Sequence, residues 1–189
     1  AEAIKEVSNK LADGTINTLL IIGGNPAYDA PIDTNFAAAL KKAPMSIRLG
    51  LYDDETSALC KWHLPRAHYL ETWGDGRAWD GTVSIAQPLI MPLFGGKSVI
   101  ELLAMLTDDK VTEGDQIVRR TWKEQFIKGG DFERSWRKAL EAGVLENSGA
   151  TGAQATAKGG EATPITIAPA GTFYLKFDAD SHTYDGRFA

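Results

Sequence analysis

The sequence predicts an α/β domain whose mainly parallel sheet is doubly wound and flanked by helices. Residues 17–22 form a continuous apolar run, which is typical of a strand buried on both faces. A second strand-like run spans residues 45–52, and a helix-forming stretch lies between the two runs. Such a strand–helix–strand unit is nearly always parallel and right-handed. These observations together indicate a Rossmann-like arrangement, in which ligands bind at the carboxyl ends of the strands.

The helices on either side of the first strand follow from spacing and from capping residues. Residues 4–11 place apolar side chains at helical spacing, and Gly14 ends that helix. After the first strand, Asp33 can cap a helix that runs through Leu40. Pro44 then separates this helix from the second strand.

The second strand is followed by a short helix and then by extended chain. Asp53 or Asp54 can cap a helix that runs through Cys60. Residues 61–65 and 67–71 are predicted to be extended.

The next part of the chain combines a long loop with three helices. Residues 73–87 are rich in glycine, aspartate and tryptophan, and they predict an ordered surface loop with a strand at residues 83–86. Residues 98–106 carry an apolar stripe on one helical face. Two further helices are predicted at residues 116–128 and 132–141.

The composition changes towards the end of the chain. Glycine, alanine, threonine and serine dominate residues 147–163, which offer little apolar surface to bury, so a flexible insertion or linker is expected. Residues 172–177 alternate and carry aromatic side chains, which predicts a last strand. The predicted organisation is therefore a domain at 1–146, an insertion at 147–164 and a terminal strand segment at 165–189.

Composition restricts the classes of function. A formal charge of -5 over 189 residues supplies no basic stripe for nucleic acid, so no nucleic-acid partner is expected. Cys60 is the only cysteine, so the chain alone cannot supply an all-cysteine iron–sulfur or zinc site. The apolar runs at residues 19–22 and 89–94 are too short to span a bilayer. We expect a soluble piece of a longer protein.

The turn after the first strand is the first candidate site. Gly23 and Gly24 lack side chains and allow a ligand to approach the backbone, while the Asn25 amide can donate and accept hydrogen bonds before Pro26. The alternative is an ordinary turn that ends a strand. The GxGxxG pattern of nicotinamide- and flavin-binding proteins does not follow the strand.

A second polar segment is expected beside that turn. Asp53, Asp54, Glu55, Thr56 and Ser57 follow the second strand, where a helix N-terminus with hydroxyl groups can bind an anion or a polar ring edge. The acids could instead bind a divalent cation, or they could simply cap the helix in contact with solvent.

Two other groups of residues have suggestive chemistry. Cys60, His63, His68 and Glu71 are metal-ligand types, but the odd spacing of the histidines directs them to opposite faces of an extended chain, so no metal site is predicted. No residue at a fixed spacing from Cys60 is predicted to act as its base, so no nucleophilic role is predicted for Cys60. The aromatic residues at 62, 69, 73 and 79 could line a pocket or an interface, or could form a core under the loop.

Three segments resemble the large subunits of the molybdopterin oxidoreductases, the dimethyl sulfoxide reductase family. Residues 19–26 are similar to that family's strand and Gly-x-Asn-Pro turn. Residues 55–65, followed by Glu71, are similar to its Thr/Ala-rich turn, Leu-Pro strand end and glutamate. Residues 95–103 resemble the helix that follows a proline-rich stretch. The resemblance covers about the middle half of the chain and again predicts the Rossmann-like domain.

The resemblance implies a cofactor site and also a reason to question it. Molybdopterin guanine dinucleotide would contact the turn and the second polar segment through these residues: Gly23, Gly24, Asn25, Pro26, Glu55, Thr56 and Ser57. This chain departs from the family's pattern at three positions. The family commonly has Asp where this chain has Gly50, Thr where it has Asp54, and Asp where it has Lys61. An acid near a pyrophosphate repels it, so these departures weaken the expected cofactor binding.

The departures, with residues 51–57 and 68–75, look most like one branch of the family. That branch comprises the iron–sulfur subunits of alternative quinol-oxidising respiratory complexes, whose molybdopterin-like domain is thought to have lost its cofactor. The resemblance implies a cofactor-free scaffold domain for electron transfer, iron–sulfur clusters elsewhere in the subunit, partner subunits of a membrane-associated complex, and a periplasmic location. The alternatives are a genuine molybdopterin guanine dinucleotide-binding domain and an unrelated nucleotide-binding enzyme. No catalytic residue is predicted in this chain under either the scaffold hypothesis or the molybdenum-enzyme hypothesis.

Overall fold

The computed structural model describes residues 2–152 and 178–184 and, singly, residues 156, 159, 171, 173 and 175. Its helices and strands, in chain order, are α1 (Glu2–Ala12), β1 (Thr18–Ile22), α2 (Pro26–Asp29), α3 (Phe36–Leu40), β2 (Met45–Gly50), α4 (Glu55–Leu59), β3 (Trp62–Pro65), β4 (Gly74–Arg77), β5 (Val83–Ala86), α5 (Val99–Leu106), α6 (Gly114–Thr121) and α7 (Phe132–Ala142). The predicted strand at 172–177 lies largely outside the described residues and stays a prediction.

The first part of the chain builds a three-stranded sheet in the order β1-β2-β3. All three strands are parallel, with Leu20 opposite Ile47 and Leu49 opposite Leu64. The predicted parallel strand–helix–strand unit is therefore confirmed for β1 and β2. The carboxyl ends of all the strands meet at one edge, which is where the candidate site lies.

Helices α1 and α3 cover one face of this sheet. Leu11, Phe36 and Leu40 are buried there, and the Leu19 and Ile21 side chains of β1 pack against them. Side chains alternate between the two faces of a strand, so the neighbouring residues of β1 point to the other face. The predicted α/β class, with a parallel sheet flanked by helices, is confirmed.

A second hydrophobic core lies between the β4–β5 hairpin and helices α6 and α7. Val83 of β5 packs there with Val118, Trp122 and Trp136. Trp122 is fully buried, and its indole nitrogen Nε1 donates to Asp75 Oδ2 of β4 at 3.0 Å. Helices are thus present in the two regions where the sequence predicts them, 116–128 and 132–141, and they have a core of their own.

The region before β2 differs from the prediction. Residues Ile32–Thr34 form a 3-10 turn, and α3 begins only at Phe36. Asn35 between them adopts a left-handed conformation with φ of +48°, which ends one turn and starts the next. Asp33 therefore lies inside the 3-10 turn and does not cap a helix, so that prediction was wrong.

Two segments predicted as extended chain or loop also differ. The segment 67–71 is a turn, because the Glu71 carboxylate accepts the backbone N–H of His68 while the Glu71 N–H donates to the His68 carbonyl. The loop 73–87 contains β4 in addition to the expected β5, and the two strands pair in antiparallel fashion. The sequence of β4 lacks the apolar alternation by which a strand is recognised.

The long helix predicted at 116–128 is divided. Helix α6 ends at Thr121, and Trp122–Phe126 continues as a π-helical turn. The helices predicted at 98–106 and 132–141 are present with side-chain caps, from Ser98 and Asp131 respectively. Within the described residues, no helix combines the length and the apolar character that a bilayer crossing requires.

The chain divides into two compact units, one ending at Thr151 and one beginning at Gly152. In the first unit, the start of the predicted insertion is held by hydrogen bonds, since Ser148 Oγ accepts the N–H of Val83 at 2.9 Å. In the second unit, residues 178–184 contain an isolated antiparallel bridge between residues 180 and 184. Most of the predicted insertion lies outside the described residues.

Candidate functional site

The turn after β1 has the backbone geometry that its glycines allow. Gly23 and Gly24 both have φ of +66°, a left-handed conformation that other residues rarely adopt. The N–H of Gly23 donates to the carbonyl of Leu49 at 3.0 Å, which ties the turn to the end of β2. Asn25 then leads into the short helix α2, whose first residue is Pro26.

The Asn25 side chain joins this turn to helix α4. Its Nδ2 donates to Glu55 Oε2 at 2.7 Å, and its Oδ1 accepts the Thr56 hydroxyl at 2.6 Å and the Thr56 N–H at 3.2 Å. Thr56 is fully buried, and its Oγ1 accepts the N–H of Ala27 at 3.0 Å. The structure thus brings together the two polar segments that the sequence predicted to be neighbours.

Asp54 caps helix α4. Its Oδ1 accepts the N–H of Ser57 at 3.0 Å, and its backbone carbonyl accepts the N–H of Ala58 at 2.9 Å. Of the two aspartates that the sequence offered as caps, Asp54 is the one used. With Asn25 Oδ1 on the Thr56 N–H, side chains of the protein already occupy these N–H groups of the helix N-terminus.

Arg48 of β2 is the central residue of the site, and sequence reasoning missed it. Its side chain is buried, with Nε donating to Ser57 Oγ at 3.0 Å and Nη1 to the Gly23 carbonyl at 3.2 Å. Its Nη2 donates to Asp54 Oδ2 at 2.5 Å and forms an ion pair. One guanidinium therefore connects the turn, the helix cap and the first turn of α4 (Glu55–Leu59).

Gly50 leaves the space that this guanidinium needs. A Cβ atom at Gly50 would lie 2.8 Å from Arg48 Nε, closer than real Cβ contacts are found. Gly50 and the buried arginine are thus two parts of one arrangement. A sequence signal did exist, since Arg48 is the one charged residue in the strand-like run 45–52.

The Ser57 hydroxyl also meets His63. Ser57 Oγ lies 2.8 Å from His63 Nδ1 and 3.2 Å from both the Tyr52 carbonyl and Asp54 Oδ1. A serine beside a histidine is the arrangement of an activated nucleophile. Here Ser57 is only 5% exposed and its oxygen accepts from Arg48, so the hydroxyl connects side chains of the protein.

The arrangement does not fit a pyrophosphate at α4. An anion at a helix N-terminus needs free N–H groups, but those of Thr56 and Ser57 are bonded to Asn25 and Asp54. The Asp54 carboxylate would also repel a phosphate. Within the described part of the chain, no buried side-chain nitrogen or oxygen lacks a partner. The polar groups at this edge are therefore satisfied by one another.

The other residues with metal-ligand chemistry have separate surroundings. Among the described residues, no group of histidine, cysteine and acidic side chains is arranged to hold a metal ion. His63 belongs to the Ser57 network, whereas Glu71 accepts the N–H groups of His68 and Leu93. Cys60 is half-buried, and this burial raises the pKa of its thiol.

Glu71 provides a pH-dependent link between two loops. The N–H of His68, and then that of Leu93, lowers the pKa of the Glu71 carboxyl. A depressed pKa means that the link is present above the pKa of the unfolded chain and is lost as pH falls through the lower, folded value. We expect the amide chemical shifts of His68 and Leu93 to titrate together, with a midpoint below that of an unperturbed glutamate.

A Glu71→Gln variant is the control for this titration. Glutamine keeps only one of the two oxygen acceptors and has no carboxyl group to protonate. The two amide shifts should then stay constant over the acid range. Titration of both amides in the variant would show that another group causes the effect.

The aromatic residues near the loop do not form one cluster. Trp73 stacks on Trp136 with ring centroids 6.5 Å apart and contributes to the second core. Trp62, Tyr69 and Trp79 have exposed side chains. The structure therefore supports the core alternative for Trp73 and a surface position for the others.

No protein-family model matches this chain, and no curated protein sequence matches it.

Proposed function

We propose that this chain is a domain of a molybdopterin oxidoreductase-like subunit and acts in electron transfer as a cofactor-free scaffold of a respiratory complex. The Rossmann-like, doubly wound form of the complete domain is part of the proposal. So are the iron–sulfur clusters in other parts of the subunit, the partner subunits of a membrane-associated complex, and its periplasmic location.

One observation carries the proposal. The edge where a guanine dinucleotide would bind is filled by the chain's own groups, with Arg48 paired to Asp54 and bonded to Ser57 and the Gly23 carbonyl. The buried guanidinium supplies a positive charge that compensates the Asp54 carboxylate without a bound ligand. The motif resemblance supports the family, and the closed network supports the loss of the cofactor.

The alternative is a domain that still binds molybdopterin guanine dinucleotide. It is favoured by the retained Gly23, Gly24, Asn25 and Pro26 turn, which lies directly against Glu55 and Thr56. For that site to accept a pyrophosphate, Asp54 and Asn25 would have to release the N–H groups of α4 (Glu55–Leu59). In that case these residues would hold the nucleotide end of the cofactor, whose pterin and metal supply the redox chemistry.

The test is to purify the complete subunit and to measure its molybdenum and its released pterin. We expect both to be far below one per subunit. A molybdenum enzyme produced in the same host is the control, since it shows that the cofactor was supplied. Stoichiometric molybdenum and pterin would reject the scaffold proposal and establish the alternative.

A further inference from the structure

The outer edge of β1 is an open hydrogen-bonding edge among the residues that the structure describes. The carbonyl of Asn17 accepts the N–H of Met45, and the N–H of Gly23 donates to the carbonyl of Leu49. Backbone groups of successive strand residues point to opposite sides, so the odd-numbered residues from 17 to 23 face β2. The N–H and C=O groups of Thr18, Leu20 and Ile22 must therefore point away from the sheet.

These outward groups have no partner in the described part of the chain. β1 pairs only with β2 there, and no hydrogen bond within it uses the backbone of Thr18, Leu20 or Ile22. The strand is also uncharged and free of proline. Natural sheets usually protect an edge of this kind with a charge, a proline, a bulge or a covering segment, because an open edge pairs with other chains.

The opposite edge of the same sheet has such protection. Pro65 of β3 has no N–H to offer, and its carbonyl accepts the N–H of Lys97 at 3.1 Å. The N–H of Ala67 donates in turn to the Lys97 carbonyl, also at 3.1 Å. A lysine-bearing segment thus closes the end of β3, whereas no described segment covers β1.

We propose that β1 pairs antiparallel with β1 of a second copy of this chain, across a two-fold axis at Leu20. The outward residues are symmetric about Leu20, so Leu20 faces Leu20 of the second copy and Thr18 faces Ile22 of the second copy. Each facing pair can exchange both of its N–H···O=C bonds, as hydrogen-bonded pairs do in antiparallel sheets. All the outward groups of the strand then find partners, and the sheet continues through both copies.

The charge and exposure of the strand fit a second copy. Thr18 is exposed and Ile22 is 38% exposed, so both side chains are accessible beside the edge. The chain has a net charge of -5, but residues 14–28 contain no charged side chain that would meet its own copy across the axis. An edge-to-edge contact is small, so a dimer that forms at high protein concentration is expected. The inference is independent of the proposed redox function.

Charge pairs placed at the facing positions test this register. Thr18 and Ile22 are too far apart along one strand to contact each other, but each faces the other across the axis. The double variant Thr18→Lys with Ile22→Lys puts like charges opposite each other and should weaken dimerisation about tenfold or more. The double variant Thr18→Lys with Ile22→Glu puts opposite charges there and should dimerise at least as well as the wild type.

Sedimentation velocity over a range of concentrations up to about 1 mM gives the dimerisation constants, a range suited to a small interface. Circular dichroism checks that each variant is folded. A Phe94→Asp variant in the exposed apolar loop 87–96 is the surface control and should dimerise as the wild type does. A monomeric wild type would overturn the proposal. So would a dimerisation constant that neither charge pair changes, or a dimer that is lost only in the Phe94→Asp variant.

Discussion

An Arg48→Met variant is expected to lose about 3–5 kcal/mol of unfolding free energy, the range found when one partner of a buried ion pair is removed. Arg48 is 3% exposed, and its guanidinium donates to Asp54, Ser57 and the Gly23 carbonyl. Methionine fills part of the volume but donates to none of them. The Asp54 carboxylate is then left partly buried without its cation. Urea unfolding followed by circular dichroism measures the loss.

Two further variants separate the ion pair from simple packing. Arg48→Lys keeps the positive charge but cannot present the planar fork of donors, so an intermediate loss is expected. Arg48→Met combined with Asp54→Asn removes the unpaired charge while keeping an N-cap, so its loss should be less than the sum of the single losses. If Arg48→Met loses less than about 1 kcal/mol of unfolding free energy, the Arg48–Asp54 pair behaves as a surface ion pair. The hydrogen-bond network at this edge of the sheet would then not depend on that pair.

The juxtaposition of the two polar segments could be predicted, because it depends on topology. Adjacent parallel strands end at the same edge, so the turn at Gly23 had to approach the residues after Gly50. The hydrogen bonds of Asn25 to Glu55 and Thr56 follow that placement. Which groups would satisfy one another there could not be predicted, since that depends on where a long, flexible side chain points.

Arg48 illustrates this limit. The apolar residues on both sides of it predict a buried strand, and a strand pattern does not show which face carries a single charged residue or what it meets. The structure directs it to the face that also carries His63 of β3 and Ser57 of α4 (Glu55–Leu59). Only the three-dimensional arrangement shows that Gly50 leaves room for this guanidinium and that Asp54 pairs with it.

The fold could be predicted where apolar periodicity was strong. Strands β1 and β2 and helices α5 and α7 lie close to the expected bounds. Each has a mainly apolar run, interrupted in β2 by Ser46 and Arg48, or an apolar stripe. Strand β4, with the sequence Gly-Asp-Gly-Arg, has no such signal. It forms because β5 pairs with it in a hairpin and because Trp122, which is distant in sequence, donates a hydrogen bond to its Asp75. The π-helical turn at Trp122–Phe126 accompanies that tertiary contact.

A Trp122→Ala variant is expected to lose about 3–5 kcal/mol of unfolding free energy, the usual range for removing a buried aromatic side chain. Trp122 is 0% exposed and packs edge-on against Trp136, with ring centroids 5.5 Å apart. Alanine leaves a cavity between the hairpin and helices α6 and α7. It also leaves the Asp75 carboxylate without the indole donor. Urea unfolding followed by far-ultraviolet circular dichroism measures the loss.

Conservative variants divide that loss between packing and hydrogen bonding. Trp122→Phe keeps an aromatic ring but removes the N–H donor, so the loss should be smaller than for alanine. Asp75 is exposed and water can replace the indole donor, so the lost hydrogen bond should account for only about 0.5–1.5 kcal/mol of it. Asp75→Asn keeps an oxygen acceptor for the indole and should be nearly neutral. Amide exchange should increase in β4 and β5 for Trp122→Ala but should stay unchanged in β1 and β2, because the two cores share no buried residue among those described. Equal loss of protection in both sheets would show that the two cores unfold together.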